Sequence, residues 1–213
     1  MRHFHMRRNR IFTHLSGNKA TYIFSIVLIL MGVIFGAVIV NSMNFTQKND
    51  LYAYLTLFFS EVDSGEFANA TEVFTQSFAY YIKIIGCIWL LGLSVIGLPV
   101  IYILLFIKGL MVGFTVGFLV DQMGFEGFIF AFSAVFPQNI VLIPLFIIVA
   151  AVATTFSLKI WRQIIGRGKE SVFTHFIAYT LFLLLVSGGL VVVSLYEAFV
   201  SPSVMKFIVT HLL

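Results

Sequence analysis

Charge is what this sequence has least of. Only 10% of its 213 residues are Asp, Glu, Lys or Arg, 60% are hydrophobic, and the mean hydropathy is +1.03. A soluble domain carries about a quarter charged residues, so the composition excludes one and defines a polytopic membrane protein. Cysteine is nearly absent too. Cys87 stands alone, which excludes an intrachain disulfide framework, and within an apolar run it serves as a small apolar filler. HExxH, GxSxG, GxGD and a phosphate-binding glycine loop are all missing. The histidines (His3, His5, His14, His175 and His211) include no pair at ligand spacing within a helix. Ser/His or metal-based catalysis has no residues to use, no cofactor is implied, and enzyme activity is not expected.

Acidic residues are absent from the first 19 positions, which hold Arg2, Arg7, Arg8, Arg10 and Lys19. Ala20 to Gln47 is then uncharged. It is too long for the apolar core of a signal peptide and ends without a small-x-small cleavage site. It reads as a first transmembrane helix with residues 1–19 left as a cytoplasmic basic arm. Topology accounts for those cations, so a nucleic-acid partner is not expected. Residues 20–213 form one integral membrane domain in this reading.

Over 44–82 the sign of the charge reverses: Lys48 faces Asp50, Glu61, Asp63, Glu66 and Glu72. Such a loop belongs outside. Leu51, Tyr54 and Phe58 fall at helical spacing, a turn follows at Asp63-Ser64-Gly65, and Phe74, Phe78 and Tyr81 line another face. The pattern predicts an outer helical hairpin of two short amphipathic helices. It either packs on its own bundle or presents its aromatics to a partner.

The stretch from Gly97 to Pro144 organises the rest. Ile84 to Ile107, bracketed by Lys83 and Lys108, is long enough for a second span, with a proline kink at Gly97-Leu98-Pro99. The loop 159–170 carries Lys159, Arg162, Arg167 and Lys169 and so should be cytoplasmic, like the N-terminus. An even number of crossings must separate the two. A third span therefore falls between Lys108 and Gln138, a fourth over Ile140 to Leu158, and a fifth over Ser171 to Tyr196. Only 12 uncharged residues lie between Lys108 and Asp121, about 18 Å of helix. The third span is either short or broken through Gly124 and Gly127. The prediction is an all-α polytopic membrane protein of about five transmembrane helices, N-terminus inside and C-terminus outside.

Five glycines invite close helix packing: Gly32 and Gly36 in the first span, and Gly109, Gly113 and Gly117 at steps of four in the third. Candidate buried polar residues are Lys108, Asp121, Gln138, Asn139 and Glu197. Gln138 and Asn139 follow Pro137, where amides can satisfy freed backbone groups or bind an ion or partner. Glu197, just inside the end of the fifth span, is either solvated at the interface or paired with a buried cation.

Several runs together resemble one family. LMGVIFGAVIVNSM, DLYAYLTLFF, VIGLPVIYILLFIKGLMVGFTVGFLVDQMG, PQNIVLIP and LYEAFVSP are similar, in order over residues 20–213, to stage II sporulation protein M of endospore-forming Firmicutes. The resemblance implies a non-catalytic membrane component of the engulfment complex, on the mother-cell side of the sporulation septum. It would scaffold the wall hydrolases, stage II sporulation proteins D and P. The wider family carries Pro-His-Gly and a following Glu where this chain has Pro137-Gln138-Asn139 and Leu142, so no ion or proton role carries over from those positions. A transporter or permease-like subunit is the alternative, motivated by the intramembrane polar residues, though no internal repeat relates the two halves. Membrane lipids are expected contacts, and homo-oligomer formation is left open.

Overall fold

The computed structural model describes residues 19–64, 69–165 and 172–212. The basic arm before Lys19, Gly65 of the predicted turn, and Arg167 and Lys169 of the basic loop lie outside them. Among the described residues every regular element is a helix: α1 Lys19–Ser42, α2 Phe45–Ser64, α3 Ala70–Gly92, a 3-10 turn Val95–Gly97, α4 Leu98–Ala134, α5 Phe136–Ile164, α6 Val172–Leu195, a π turn Tyr196–Val200 and α7 Ser201–Leu212. Among the described residues five stretches are long and apolar enough to cross a membrane: α1, α3, α4, α5 and the continuous run from α6 into α7.

Side-chain contacts set the direction of each span. Gly109, Gly113 and Gly117 meet Ile29, Val33 and Ala37 in rising order, so α1 and α4 run parallel. Tyr102 bonds Thr154 and Lys108 lies over Phe146, so α5 returns against α4. Trp89 bonds Thr180 and Tyr81 bonds Glu197, so α3 opposes α6. Successive spans alternate. The end that holds Ser42, Ala70 and Asp121 is termed the cap end below, and the opposite one, with Lys159, the base.

At the cap, Asn44 and Gln47 cap α2 reciprocally. The Asn44 side chain accepts from the Gln47 N–H (2.9 Å) and the Gln47 side chain accepts from the Asn44 N–H (3.1 Å). Leu55 and Phe59 turn α2 inward against Phe130 of α4 and Ile208 of α7, forming a small second core. The main core lies between α3, α4, α5 and α6, around Ile88, Ile101, Leu142, Val149 and Leu190.

The span boundaries differ from those expected. The second span is Ala70–Gly92, not Ile84 to Ile107, and the chain reverses at the base between Gly92 and Leu98. Ser94 caps the turn by accepting from the Ile96 N–H (3.2 Å), and Pro99 opens α4 in its first turn, where its missing N–H costs nothing. A Cβ on Gly97 would collide with the Leu91 carbonyl, so the reversal needs glycine there. The segment read as the second amphipathic helix is thus the first half of a span.

The third span is not short. α4 runs from Leu98 to a break at Gly124 (φ 60°, ψ −127°), ~39 Å at 1.5 Å per residue. Gly124 supplies the left-handed conformation that a side chain disfavours. The chain then folds back until Gly127 lies against the Leu119 carbonyl. The fifth span does not stop at Tyr196, because the π turn carries it on to Leu212. Pro202 has no N–H to give to Ala198, and widening the preceding turn absorbs the lost bond.

Candidate functional site: polar residues inside the bundle

Lys108, a candidate buried polar residue and the expected boundary of the second span, sits in the middle of α4, beside Gly109 and level with Ile29 of α1. Its ammonium lies 6.0 Å from the centroid of the Phe146 ring, a cation–π distance. Tyr80, Ile88 and Met111 join Lys108 and Phe146 around a cavity of about 80 Å³.

Glu197 faces the same interior. It lies in the π turn, well short of the helix end, and accepts a hydrogen bond from the Tyr81 hydroxyl of α3. Its charge is close enough to act on Lys108. Three spans therefore contribute one polar group each to the bundle interior. Such groups are costly in hydrocarbon unless partnered, and π turns recur where a side chain must be re-aimed.

Tyr81, expected on an exposed docking face, is only 5% exposed and belongs to this cluster. A tyrosine at core register is read from sequence as one more apolar contact. The signal for its role was the carboxylate at 197, which needs a donor.

The remaining candidates are dispersed. Asp121 stands at the cap, not in the interior, and binds Lys48 at 2.7 Å while Gln122 also donates to it. Gln138 is half-buried. Asn139 is 5% exposed; its amide donates to the Val135 carbonyl (2.7 Å), and its Oδ1 has no partner. Of the aromatic faces, Leu51 is half-buried, Tyr54 and Phe58 are exposed, and Phe74 and Phe78 are half-buried and stacked at 5.9 Å.

The glycines sit at one interface. A Cβ on Gly32 or Gly36 would strike the carbonyls of Phe106 or Leu110, and one on Gly109 or Gly113 those of Ile29 or Val33. Gly117 is looser: a Cβ there would lie 3.2 Å from the Ala37 Cα. The two backbones approach to a distance only glycine permits.

These features define a five-span helical membrane protein with a polar cluster inside the bundle and a helical cap at one end. A family model for stage II sporulation protein M matches residues 25–202, and the chain belongs to that family. It is a sporulation-related membrane protein. No curated protein and no solved structure matches it.

Proposed function

We propose that this chain is the non-catalytic membrane component of the engulfment machinery, recruiting and scaffolding peptidoglycan hydrolases at the mother-cell side of the septum. Family membership supports the sporulation role, and the resemblance noted above supplies the partners, stage II sporulation proteins D and P. The carrying observation is the outward face of α2. Tyr54 is 72% exposed, Leu57 61% and Phe58 40%, while Leu55 and Phe59 hold the same helix to the cap. A rigidly mounted row of large side chains suits a binding hot spot. Lys159 and Arg162 at the base support a cytoplasmic base and an outer cap, on the side where wall enzymes act.

The test is Tyr54→Ala with Phe58→Ala in sporulating cells. Membrane levels should stay normal while hydrolase pull-down and engulfment fail. A second reading, a transporter subunit, is favoured by the Tyr81–Glu197 hydrogen bond and the intramembrane position of Lys108. It demands the opposite order: Lys108→Met and Glu197→Gln abolish function at normal protein levels, and the α2 aromatics are dispensable.

A further inference from the structure

Lys83 is exposed on the outside of the bundle, deep within the second span. Tyr81 and Ile85, two residues before and after it, belong to the buried side of α3, and at 3.6 residues per turn Lys83 faces the opposite way. Neighbouring helices give its depth. The small cavity beside Phe146 is lined by Tyr80, Ile84 and Ile88 of α3 and by Leu104, Lys108 and Met111 of the antiparallel α4. Lys83 therefore stands level with Lys108, which is level with Ile29 near the middle of α1. Along α3 that is about 13 Å from Gly92 and about 20 Å from Ala70. A helical side chain leans toward its own N-terminus. Here that is the farther end, so the lysine stem is aimed away from the nearer headgroups.

Lys83 makes no hydrogen bond or ion pair with the described residues. A charge facing hydrocarbon is costly, and intramembrane lysines almost always pair. The surface beside it admits close approach. Gly86 has open space where a Cβ would lie, whereas Gly32, Gly36, Gly109 and Gly113 each meet another backbone. Cys87 and Leu90 continue the exposed face, and Tyr80, 45% exposed, adds a hydroxyl one turn toward the cap.

We propose that this face of α3 receives a membrane-spanning helix of another protein that carries Asp or Glu in mid-span, its carboxylate paired with Lys83. Charge selects the occupant. Acyl chains bring no acceptor, and lipid phosphates lie at the bilayer surface. Within the five spans a second copy has only Glu72, Asp121 and Glu126, all at the cap, and Glu197, bonded to Tyr81 inside its own bundle. The site is separate from α2 and does not depend on what docks there.

The test replaces Leu90 with the photocrosslinking residue benzoylphenylalanine in the full chain, in sporulating cells, and identifies crosslinked peptides by mass spectrometry. Tyr80 serves as a second crosslinking position for the Leu90 experiment. The expected partner peptide is a membrane span holding Asp or Glu. Lys83→Leu should lower the crosslink at least fivefold at equal membrane levels, and Lys83→Arg should keep it. Lys83→Glu should lose it until the partner's carboxylate is exchanged for lysine. If Lys83→Leu does not accumulate, Lys83→Gln takes its place. A partner span without a carboxylate, crosslinks only to lipid or to a second copy, or no protein crosslink from either position would each overturn the proposal. So would equal crosslinking of wild type and the charge-removed variant, or no recovery on charge exchange.

Discussion

Tyr81 and Glu197, 116 positions apart, are joined by a hydrogen bond from the phenol to the carboxyl group inside the bundle. The bond ties α3 to the π turn between α6 and α7, so the cap-end half of the last span is fastened to the second. Hydrogen bonds to charged groups contribute about 1.5–3 kcal/mol. Tyr81→Phe should destabilise the protein by about 2 kcal/mol, read as a fall in thermal midpoint in detergent. Glu197→Gln retains an acceptor and should lose less. Equal stability of Tyr81→Phe and wild type would show that the bond holds nothing together.

Gly113→Leu should be more damaging than Gly117→Leu. Gly113 faces the Val33 carbonyl at a distance that admits no Cβ, whereas a Cβ on Gly117 would come to 3.2 Å from the Ala37 Cα, tight but short of a collision. Overpacking costs about 1–3 kcal/mol where side chains can shift, and a backbone carbonyl shifts less readily. Membrane accumulation measured by immunoblot should fall in that order.

Lys48 and Asp121 connect α2 to the cap end of α4. Both side chains keep partial contact with the surroundings, at 21% and 31% exposure, so the pair should contribute only about 0.5–1 kcal/mol. Lys48→Glu should destabilise modestly, and adding Asp121→Lys should restore much of the loss. A double-mutant cycle by thermal melting measures the coupling. No recovery in the double variant would assign the single effect to something other than this pair.

Orientation is tested by single cysteines in a Cys87→Ser background. Ser64→Cys, at the cap, should react with an impermeant thiol reagent in wall-stripped cells, and Arg162→Cys, at the base, should not. Labelling at 162 but not at 64 would turn the molecule over and remove the basis for docking wall enzymes at the cap.

The number of spans was legible because uncharged runs of that length have few soluble explanations. Their boundaries were less so, and Lys108 shows why. A lysine between apolar runs reads as a point where the chain leaves the bilayer, but a Phe146 ring and the nearby Glu197 give it a place inside the bundle. Moving that one residue inward shifts the second span back to Ala70 and lengthens the third. The expected fifth span ends at Tyr196, but the π turn Tyr196–Val200 lets the helix continue past Pro202. The spacing of Gly109, Gly113 and Gly117 was plain in the sequence, but the partner helix was not, since small residues show that something comes close without saying what. The orphaned Asn139 oxygen had no sequence signal, because its isolation depends on what the fold leaves out of reach.

The parallel pairing of α1 and α4 sets a schedule for biogenesis. Gly32 leaves the ribosome long before Phe106, the residue it must touch. At about 5–20 residues per second the interval is roughly 4–15 s. Through that time the first helix waits in the bilayer with its glycine notch filled only by lipid, while α3 is threaded back across. The glycine-lined contact of α1 with α4 is therefore a late event, formed only after α3 has crossed back.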